Sequence, residues 1–498
     1  MNAETIPHWL EKRVELTPER VAIHTQENSI TFRELRKQSM CMVGKLASLG
    51  VKKGSHVAIY ANNSLDFVRF VHAISYIGAV AVFLNTRLTQ KEIRFQLEDA
   101  KCELVIYEQN LSPIIEPLGQ EMPIRVHSFK DVSKQLEAPF KAQQEVRLDD
   151  IYTILYTSGT TGNPKGVMLT YGNHWWSAVS SALNLGLSEE DQWLATLPLF
   201  HVGGLSLLFK NVIYGMPITL LTSFDEQEIH KAIMEKGVTI VSVVSVMLKR
   251  LLSQLDAGET YPTSFRCMLL GGGPAPKPLL EEAASKHVPV IQTYGMTETS
   301  SQIVTLSAQD ALRKIGSAGK PLFPAQLNII NDQQNTKDQS IGEIVVKGPM
   351  VTSGYYKRPE TNEYTIKDEW LYTGDLGYVD DEGFLYVVDR RKDLIISGGE
   401  NIYPAEIEEV LAGLDSIKEV GVIGQEDDRW GEVPVAFVVF HEGVSLSTEE
   451  ILSYCARSLA KYKIPKMIYF EDHLPRNASN KLLRRDLAKW LKQRGEME

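Results

Sequence analysis

Apolar runs and helical periodicities alternate along most of the chain. His56–Tyr60 (HVAIY) is a short apolar run behind the Gly54 turn and predicts a strand. Ser64–Tyr76 then places apolar residues at helical spacing, and Ala79–Leu84 is another apolar run of strand length. The cycle repeats with a helical Gln90–Asp99 and the strand signal Cys102–Tyr107 (CELVIY). Strand–helix–strand alternation puts parallel strands in one sheet with helices on its faces. Gly237–Val246 and Arg266–Leu270 are again apolar and again followed by helical patterns, so a second sheet of the same type is expected. Between Leu327 and Val388 strand signals follow one another with few helices, which suits a small antiparallel sheet or barrel.

A charged pentapeptide, Asp389–Asp393 (DRRKD), separates two apolar strand signals, Phe384–Val388 and Leu394–Ile396. Such a run is a solvated turn or a junction between a large N-terminal part and about a hundred C-terminal residues. With 498 residues the chain has room for about three domains. Lys plus Arg is 52 and Asp plus Glu 63, a net charge of −11. That surplus of acid speaks against a nucleic-acid partner, since phosphate contacts need cations. Cys41, Cys102, Cys267 and Cys455 form no C-x-x-C, so four reduced thiols are expected rather than a zinc site or disulfide framework. The first twenty residues hold no apolar core of signal-peptide length, and Ala73–Leu84 is too short to span a membrane. A cytoplasmic protein with no membrane partner is the expectation, and a homodimer, the commonest assembly, is the expected oligomer.

The densest chemistry follows the apolar Ile151–Tyr156. Thr157–Gly166 (TSGTTGNPKG) holds three glycines, four hydroxyls and a lysine in ten residues. Glycines let backbone N–H groups converge on an anion, hydroxyls add donors, and lysine adds a mobile charge. The spacing is not that of a Walker A loop. Val167–Thr170 reads as a strand, so no helix N-terminus is offered here, and a glycine hairpin between two strands is the alternative.

Tyr156–Gly166 (YTSGTTGNPKG) resembles the signature of the adenylate-forming enzymes, which include acyl- and aryl-CoA synthetases, peptide-synthetase adenylation domains and beetle luciferases. Further matches follow in order: Tyr294–Thr299 (YGMTET), Tyr372–Asp375 (YTGD), Asp389–Arg390 with Lys392–Asp393, and Asn477–Lys481 (NASNK). The resemblance covers essentially the whole chain. It implies an α/β fold. A large N-terminal domain, 1–390, would hold two βαβ-type sheets and a small β-barrel-like subdomain. A small mobile α+β C-terminal domain, 391–498, would turn about a hinge near Lys392.

Joining a carboxylate to ATP brings anions together, so the protein must position reactants and neutralise charge. For ATP the resemblance implies Thr157, Ser158, Gly159, Thr160, Thr161, Gly162 and Lys165 in the phosphate loop. It adds Gly272 and Gly273 in the run Leu270–Pro276, which by itself also reads as a tight strand-to-helix turn. Tyr294 and Gly295 lie at the adenine, where the tyrosine ring would stack. Asp375 and Arg390 are the implied ribose contacts. Thr297 would bond the α-phosphate and Glu298, a hard oxygen ligand, would hold Mg²⁺. Read alone, that Thr–Glu pair after a strand signal is a helix N-terminus. Lys392 is the implied hinge. Lys481, otherwise one surface lysine among many, is the implied cation for the carboxylate and α-phosphate. Gly398 and Gly399 would line a channel for CoA, although Pro404 and Glu406 just beyond them are also ordinary helix-entry residues.

Three segments narrow the resemblance to the branch that joins o-succinylbenzoate to CoA in menaquinone synthesis. They are Gly172–Gly186 (GNHWWSAVSSALNLG), Leu197–His201 (LPLFH) and Thr299–Thr305 (TSSQIVT), with the tail Leu459–Lys481 in accord. That substrate is an aromatic ring with two carboxylates, and the one not activated needs donors or a cation in a partly apolar pocket. His201, Lys210, Ser300, Ser301 and Gln302 are the polar candidates. A satisfied core histidine and a snorkelling lysine are the alternatives for the first two.

Competing activities fare less well. A ligase for benzoate, coumarate or a fatty acid would leave those polar groups unpaired. A peptide-synthetase module needs an acid for the substrate amine near Phe200–His201, and none stands there. A non-catalytic nucleotide sensor would be expected to lack Lys481 or Glu298. Neither G-x-S-x-G nor H-E-x-x-H occurs, which disfavours a hydrolase.

Overall fold

The computed structural model describes residues 4–157, 164–272, 275, 277–331, 341–389, 394–475 and 482–495. The chain divides into two compact units. One comprises Met1–Thr86, Leu97–Tyr156 and Gly166–Asp389; the other comprises Arg87–Gln96, Thr157–Lys165 and Arg390–Glu498.

In the first unit the apolar runs become buried parallel strands. The strands Ile151–Thr157, Val80–Phe83, His56–Tyr60, Leu104–Tyr107 and Arg125–Ser128 lie side by side and all parallel, with Lys165–Thr170 at the edge beside Ile151–Thr157. Every residue of Val80–Phe83 and Leu104–Tyr107 is buried, as expected of strands covered on both faces. The helix Leu65–Ile77 crosses between His56–Tyr60 and Val80–Phe83. Ser64 caps its start by accepting from the Phe67 N–H at 3.1 Å, and Gly78 ends it in the left-handed region. The Cys102–Tyr107 run pairs only from Leu104.

Among the described residues the second sheet has nine strands. Its parallel centre runs through Val290–Met296, Cys267–Leu270, Ile240–Val243, Trp193–Ala195, Ile218–Leu220 and Val21–His24. Antiparallel strands close both edges: Ser301–Thr305 and Lys320–Pro321 on one side, Ser29–Thr31 on the other. Within the apolar Gly237–Val246 only Ile240–Val243 pairs, and a helix already starts at Ser245.

The region after Leu327 is an antiparallel sheet. Gln326–Ile330, Gly342–Lys347, Trp370–Val379 and Ile366–Lys367 are neighbours in that order, and Leu385–Asp389 pairs with Trp370–Val379. Strict alternation along Trp370–Val379 turns Leu371, Thr373 and Asp375 to the buried face. A carboxylate is thereby carried into the interior by strand period alone.

The second unit holds a mixed sheet of Glu400–Ile402, Ile395–Ser397, Gly431–Phe440, Ile417–Asp427 and Met467–Phe470. The helices Pro404–Ala412, Thr448–Cys455 and Arg484–Gly495 complete it. Glu406, at a helix entry, does more than favour the helix dipole. Lys463 is buried and donates to Glu406 Oε1 at 2.7 Å and to Glu92 Oε1 at 2.6 Å. Burial pushes the Glu406 carboxyl above the ordinary range against the pull of that lysine. All four cysteines are free thiols. Among the described residues no helix is long and apolar enough to cross a membrane.

Three histidines of the first unit are buried in the neutral form. His8 stacks on Tyr76 at 3.9 Å and shares a hydrogen bond of 2.9 Å with Ser75. His174 shares one of 2.9 Å with Thr153, and His72 lies on the buried helix Leu65–Ile77. Burial lowers their pKa values from 6.5 to about 3, about 4 and about 3 for His8, His72 and His174, with further lowering of His8 by His72 and Arg36. Below pH 6.5 the unfolded chain therefore binds protons that the folded chain refuses. Their contribution is intact above 6.5 and declines towards pH 4, by up to about 1.4 kcal/mol per histidine per pH unit. Urea midpoints should fall steeply from pH 6.5 to 5; a flat profile there would show that the three rings take up protons in the fold.

Candidate active site

The strand Val290–Met296 delivers Tyr294 and Gly295 and runs into a single 3₁₀ turn, Thr297–Thr299. The Thr–Glu pair thus sits on a tight turn and not at the start of an α-helix. The turn is tied down locally, with the Met296 N–H donating to Thr299 Oγ1 at 2.9 Å and Thr299 Oγ1 donating to the Ser301 carbonyl at 2.6 Å. Ser300 and Ser301 both take positive φ, 54° and 96°, and the chain doubles back as Ser301–Thr305. Gly295 is required by that return: a Cβ there would lie 2.0 Å from the Ser301 carbonyl oxygen. Thr297 is half-buried, while Glu298 is 7% exposed. Its Oε1 accepts from the Tyr355 hydroxyl at 2.8 Å, and its carbonyl accepts from the Thr352 N–H at 2.7 Å.

Two nucleotide candidates meet directly. The Tyr294 hydroxyl donates to Asp375 Oδ2 at 2.7 Å, and both side chains are buried. Tyr294 packs with Ile303, Val304 and Ile344, so its ring is part of the core. Asp375 is set by its neighbour: Thr373 Oγ1 accepts from the Asp375 N–H at 3.1 Å and donates to the Ile344 carbonyl at 2.7 Å.

A second polar group joins candidates for the substrate. Lys210 lies on the helix Val202–Tyr214 and is 2% exposed, so it does not snorkel to the surface. Its ammonium donates to Gln302 Oε1 at 3.1 Å and sits 4.9 Å from the centre of the Trp193 ring. Among the described residues no carboxylate lies within ion-pair reach of it. Burial lowers its pKa from 10.5 to about 7. Gln302 Oε1 also accepts from Ser181 Oγ at 3.1 Å, and its amide donates to Thr305 Oγ1 at 3.1 Å. Ser300 is fully buried and donates to the Met350 carbonyl, while its own carbonyl accepts from Ser177 at 2.6 Å. Ser177 and Ser181 stand one helical turn apart on Tyr171–Leu185, a helix capped by reciprocal bonds between Thr170 and Asn173. His201 caps the opposite end of the lysine's helix; nine residues at the helical rise put it about 13 Å from Lys210. The structure therefore joins Lys210 to Gln302, while His201 is half-buried with its ring 4.8 Å from that of Phe200.

Thr157 closes the strand Ile151–Thr157 and Lys165 opens Lys165–Thr170. Gly272 follows Cys267–Leu270 with φ 79°. Gly398 and Gly399 form the two-residue turn between Ile395–Ser397 and Glu400–Ile402, both at positive φ (57° and 86°). The Gly398 N–H donates to the Trp430 carbonyl at 2.6 Å, and a Cβ on Gly398 would meet the Trp430 ring at 2.8 Å. Ser158, Gly159, Thr160, Thr161, Gly162, Gly273, Arg390, Lys392 and Lys481 lie outside the described residues.

Sequence reasoning did not single out Tyr355, Ser177, Ser181 or Trp193. Ser177 and Ser181 carry a helical i, i+4 signal inside a segment already noted. Tyr355 and Trp193 carry no local signal, because their partners are distant in the chain.

This architecture defines an adenylate-forming enzyme, and the chain belongs to that family: a model described as AMP-binding enzyme matches residues 10–356, and one described as AMP-binding enzyme C-terminal domain matches 406–481. A 2-succinylbenzoate–CoA ligase from Bacillus cytotoxicus is 56% identical over 491 residues, 99% of this chain and 100% of that one. The chain is also similar to a solved double mutant of o-succinylbenzoate CoA synthetase from Bacillus subtilis bound with its product analogue OSB-NCoA. That match has a TM-score of 0.93 and 47% identity, over 97% of this chain and 98% of the other. The Bacillus subtilis enzyme in complex with ATP and magnesium ion matches with a TM-score of 0.75 and 48% identity, over 97% and 100%.

Proposed function

We infer that this chain is an AMP-forming acid–thiol ligase that activates 2-succinylbenzoate as an acyl-adenylate and transfers the acyl group to CoA. Its substrates are ATP, the dicarboxylic acid and CoA. The observation that carries the choice of acid is Lys210: a buried ammonium that, among the described residues, meets Gln302 and an indole face and no carboxylate is matched to a second carboxylate on an aromatic ring, which an apolar acid would not supply. Gln302, held by Ser181 and Thr305, keeps the lysine aimed.

In the first step a carboxylate oxygen attacks the α-phosphorus of ATP, the bond to the β-phosphate breaks and pyrophosphate leaves. Asp375 receives the ribose hydroxyls, held in place by Tyr294 and Thr373. Thr297 donates to the α-phosphate. The residues fit Mg²⁺: Glu298 is a buried, hydrogen-bonded carboxylate, a hard oxygen donor of the kind that holds Mg²⁺ together with phosphates and water. When bound, Mg²⁺ offsets the negative charge on the phosphates. In the second step the CoA thiol attacks the acyl carbon, its proton is lost, and AMP leaves. Gly398 and Gly399 border the thiol's approach, the domain boundary falls at 390/391, and Lys392 is the hinge between steps. A cytoplasmic location follows from the supply of ATP and CoA.

Pyrophosphate release is the test, with MgATP and o-succinylbenzoate, benzoate, 4-coumarate, a fatty acid or amino acids, with and without CoA. Strong preference for o-succinylbenzoate, with CoA-dependent AMP and thioester, is expected. Preferential turnover of a monocarboxylic acid would overturn the assignment of Lys210.

A further inference from the structure

The segment Gly354–Arg358 belongs to none of the motifs, yet it touches three parts of the adenylating site. Its backbone pairs with the strand that follows the phosphate loop: the Tyr356 N–H donates to the Gly166 carbonyl at 2.7 Å, the Met168 N–H donates to the Gly354 carbonyl at 3.1 Å, and Val167 bridges Tyr355. The Tyr355 hydroxyl donates to Glu298 Oε1. Arg358 reaches the strand that precedes the loop. Its Nη2 donates to Asp99 Oδ1 at 2.6 Å, and Asp99 Oδ2 accepts from the Tyr156 hydroxyl at 2.8 Å. The segment is itself pinned by Asn362, whose Oδ1 accepts from the Tyr355 N–H at 2.8 Å and whose Nδ2 donates to the Tyr355 carbonyl at 3.2 Å.

We propose that Gly354–Arg358 is a brace for the adenylating step: Tyr355 aims the Glu298 carboxylate, and Arg358, through Asp99 and Tyr156, holds the strand entering residues 158–163 against the strand leaving them. This rests on the reading of Glu298 as the Mg²⁺ residue. Tyr355 and Arg358 touch no reacting atom and act as positioning residues. A carboxylate with one oxygen held by a buried phenol presents a set orientation to a metal, whereas an unheld one rotates. The Asp99–Arg358 pair is mostly buried, with side chains 12% and 27% exposed, so its two-pronged use of one carboxylate stays rigid. The lysine-bearing strand and the metal-binding turn are thus referenced to the same short segment.

Tyr355→Phe removes one hydroxyl and keeps the buried ring. In o-succinylbenzoate-dependent ATP–pyrophosphate exchange, the Mg²⁺ concentration for half-maximal rate should rise about tenfold, the loss expected for one hydrogen bond to a charged group. Thioester formation from supplied acyl-adenylate and CoA should be unchanged. Asp99→Asn should raise the KM for ATP without moving the Mg²⁺ requirement, and combining it with Arg358→Gln should add little, since both break one pair. Glu298→Gln separates the two ideas. If it shifts the Mg²⁺ requirement and Tyr355→Phe does not, the brace is overturned and the metal reading stands. If neither shifts it, both fall. Equal loss by Tyr355→Phe in exchange and in thioester formation would make the hydroxyl merely structural and also overturn the brace.

Discussion

Lys210→Met will raise the KM for o-succinylbenzoate by about a hundredfold or more, leave the KM for ATP unchanged, and raise the thermal midpoint of the ligand-free protein. The first effect follows from removing one partner of a desolvated charge pair, a change that costs about 2–5 kcal/mol, with tenfold in affinity for each 1.4 kcal/mol. The last effect follows from the same burial. With a folded pKa of about 7 against 10.5 unfolded, the lysine burdens the free protein most below pH 7, and that burden fades as pH rises towards 10.5. Methionine fills a similar volume without the charge. A bound carboxylate relieves the lysine by favouring its protonated form, so affinity for the dicarboxylate should be full below pH 7 and weaken by up to about tenfold per pH unit above it. Steady-state kinetics across pH 6–9 and a thermal melt of each protein check all three effects. A Lys210→Met enzyme with an unchanged KM for o-succinylbenzoate would remove this residue from the pocket.

Lys481→Ala will slow acyl-adenylate formation by roughly a thousandfold and largely spare thioester formation from supplied acyl-adenylate. One positive charge about 4 Å from developing negative charge, at an effective dielectric near 20, contributes about 4 kcal/mol. Present chiefly in the transition state, that is roughly three powers of ten in rate. The side chain has no comparable task once pyrophosphate has left, since the second step exchanges a thiol for AMP at the acyl carbon. Pyrophosphate release in a single turnover and thioester formation from the synthetic adenylate separate the two half-reactions. Equal losses in both would deny Lys481 this role.

The two predictions differ in how their residues came into view. Lys481 rests on the resemblance of the contiguous segment Asn477–Lys481 to the adenylate-forming enzymes. Lys210 was one of five polar candidates in matching segments, and the fold separated them. It joined Lys210 to Gln302, tied the Ser300 hydroxyl to the Met350 carbonyl, and placed His201 just before the helix that carries Lys210. Asp375 lies between these cases. Its motif was legible, and strand alternation explains its burial, but its hydrogen bond with Tyr294 was not legible. Glu406 reads as a helix-entry acid in the sequence and proves to be a buried partner of Lys463.

The sequence by itself determined the sheets and their class, because apolar runs and helical periods are local and parallel strands buried on both faces write themselves as unbroken apolar stretches. Through the family resemblance it also pointed to the chemistry, because the motifs that carry that resemblance are contiguous. Tertiary structure alone decided which side chains meet. Lys210 and Gln302 are 92 residues apart, Tyr294 and Asp375 81, Glu298 and Tyr355 57, and Asp99 and Arg358 259. Periodicity says which face of a strand or helix a residue occupies, but not which residue of a distant element occupies the space opposite. That depends on sheet order and crossing of the whole chain, and it sets the desolvation that lowers the pKa of Lys210 from 10.5 to about 7.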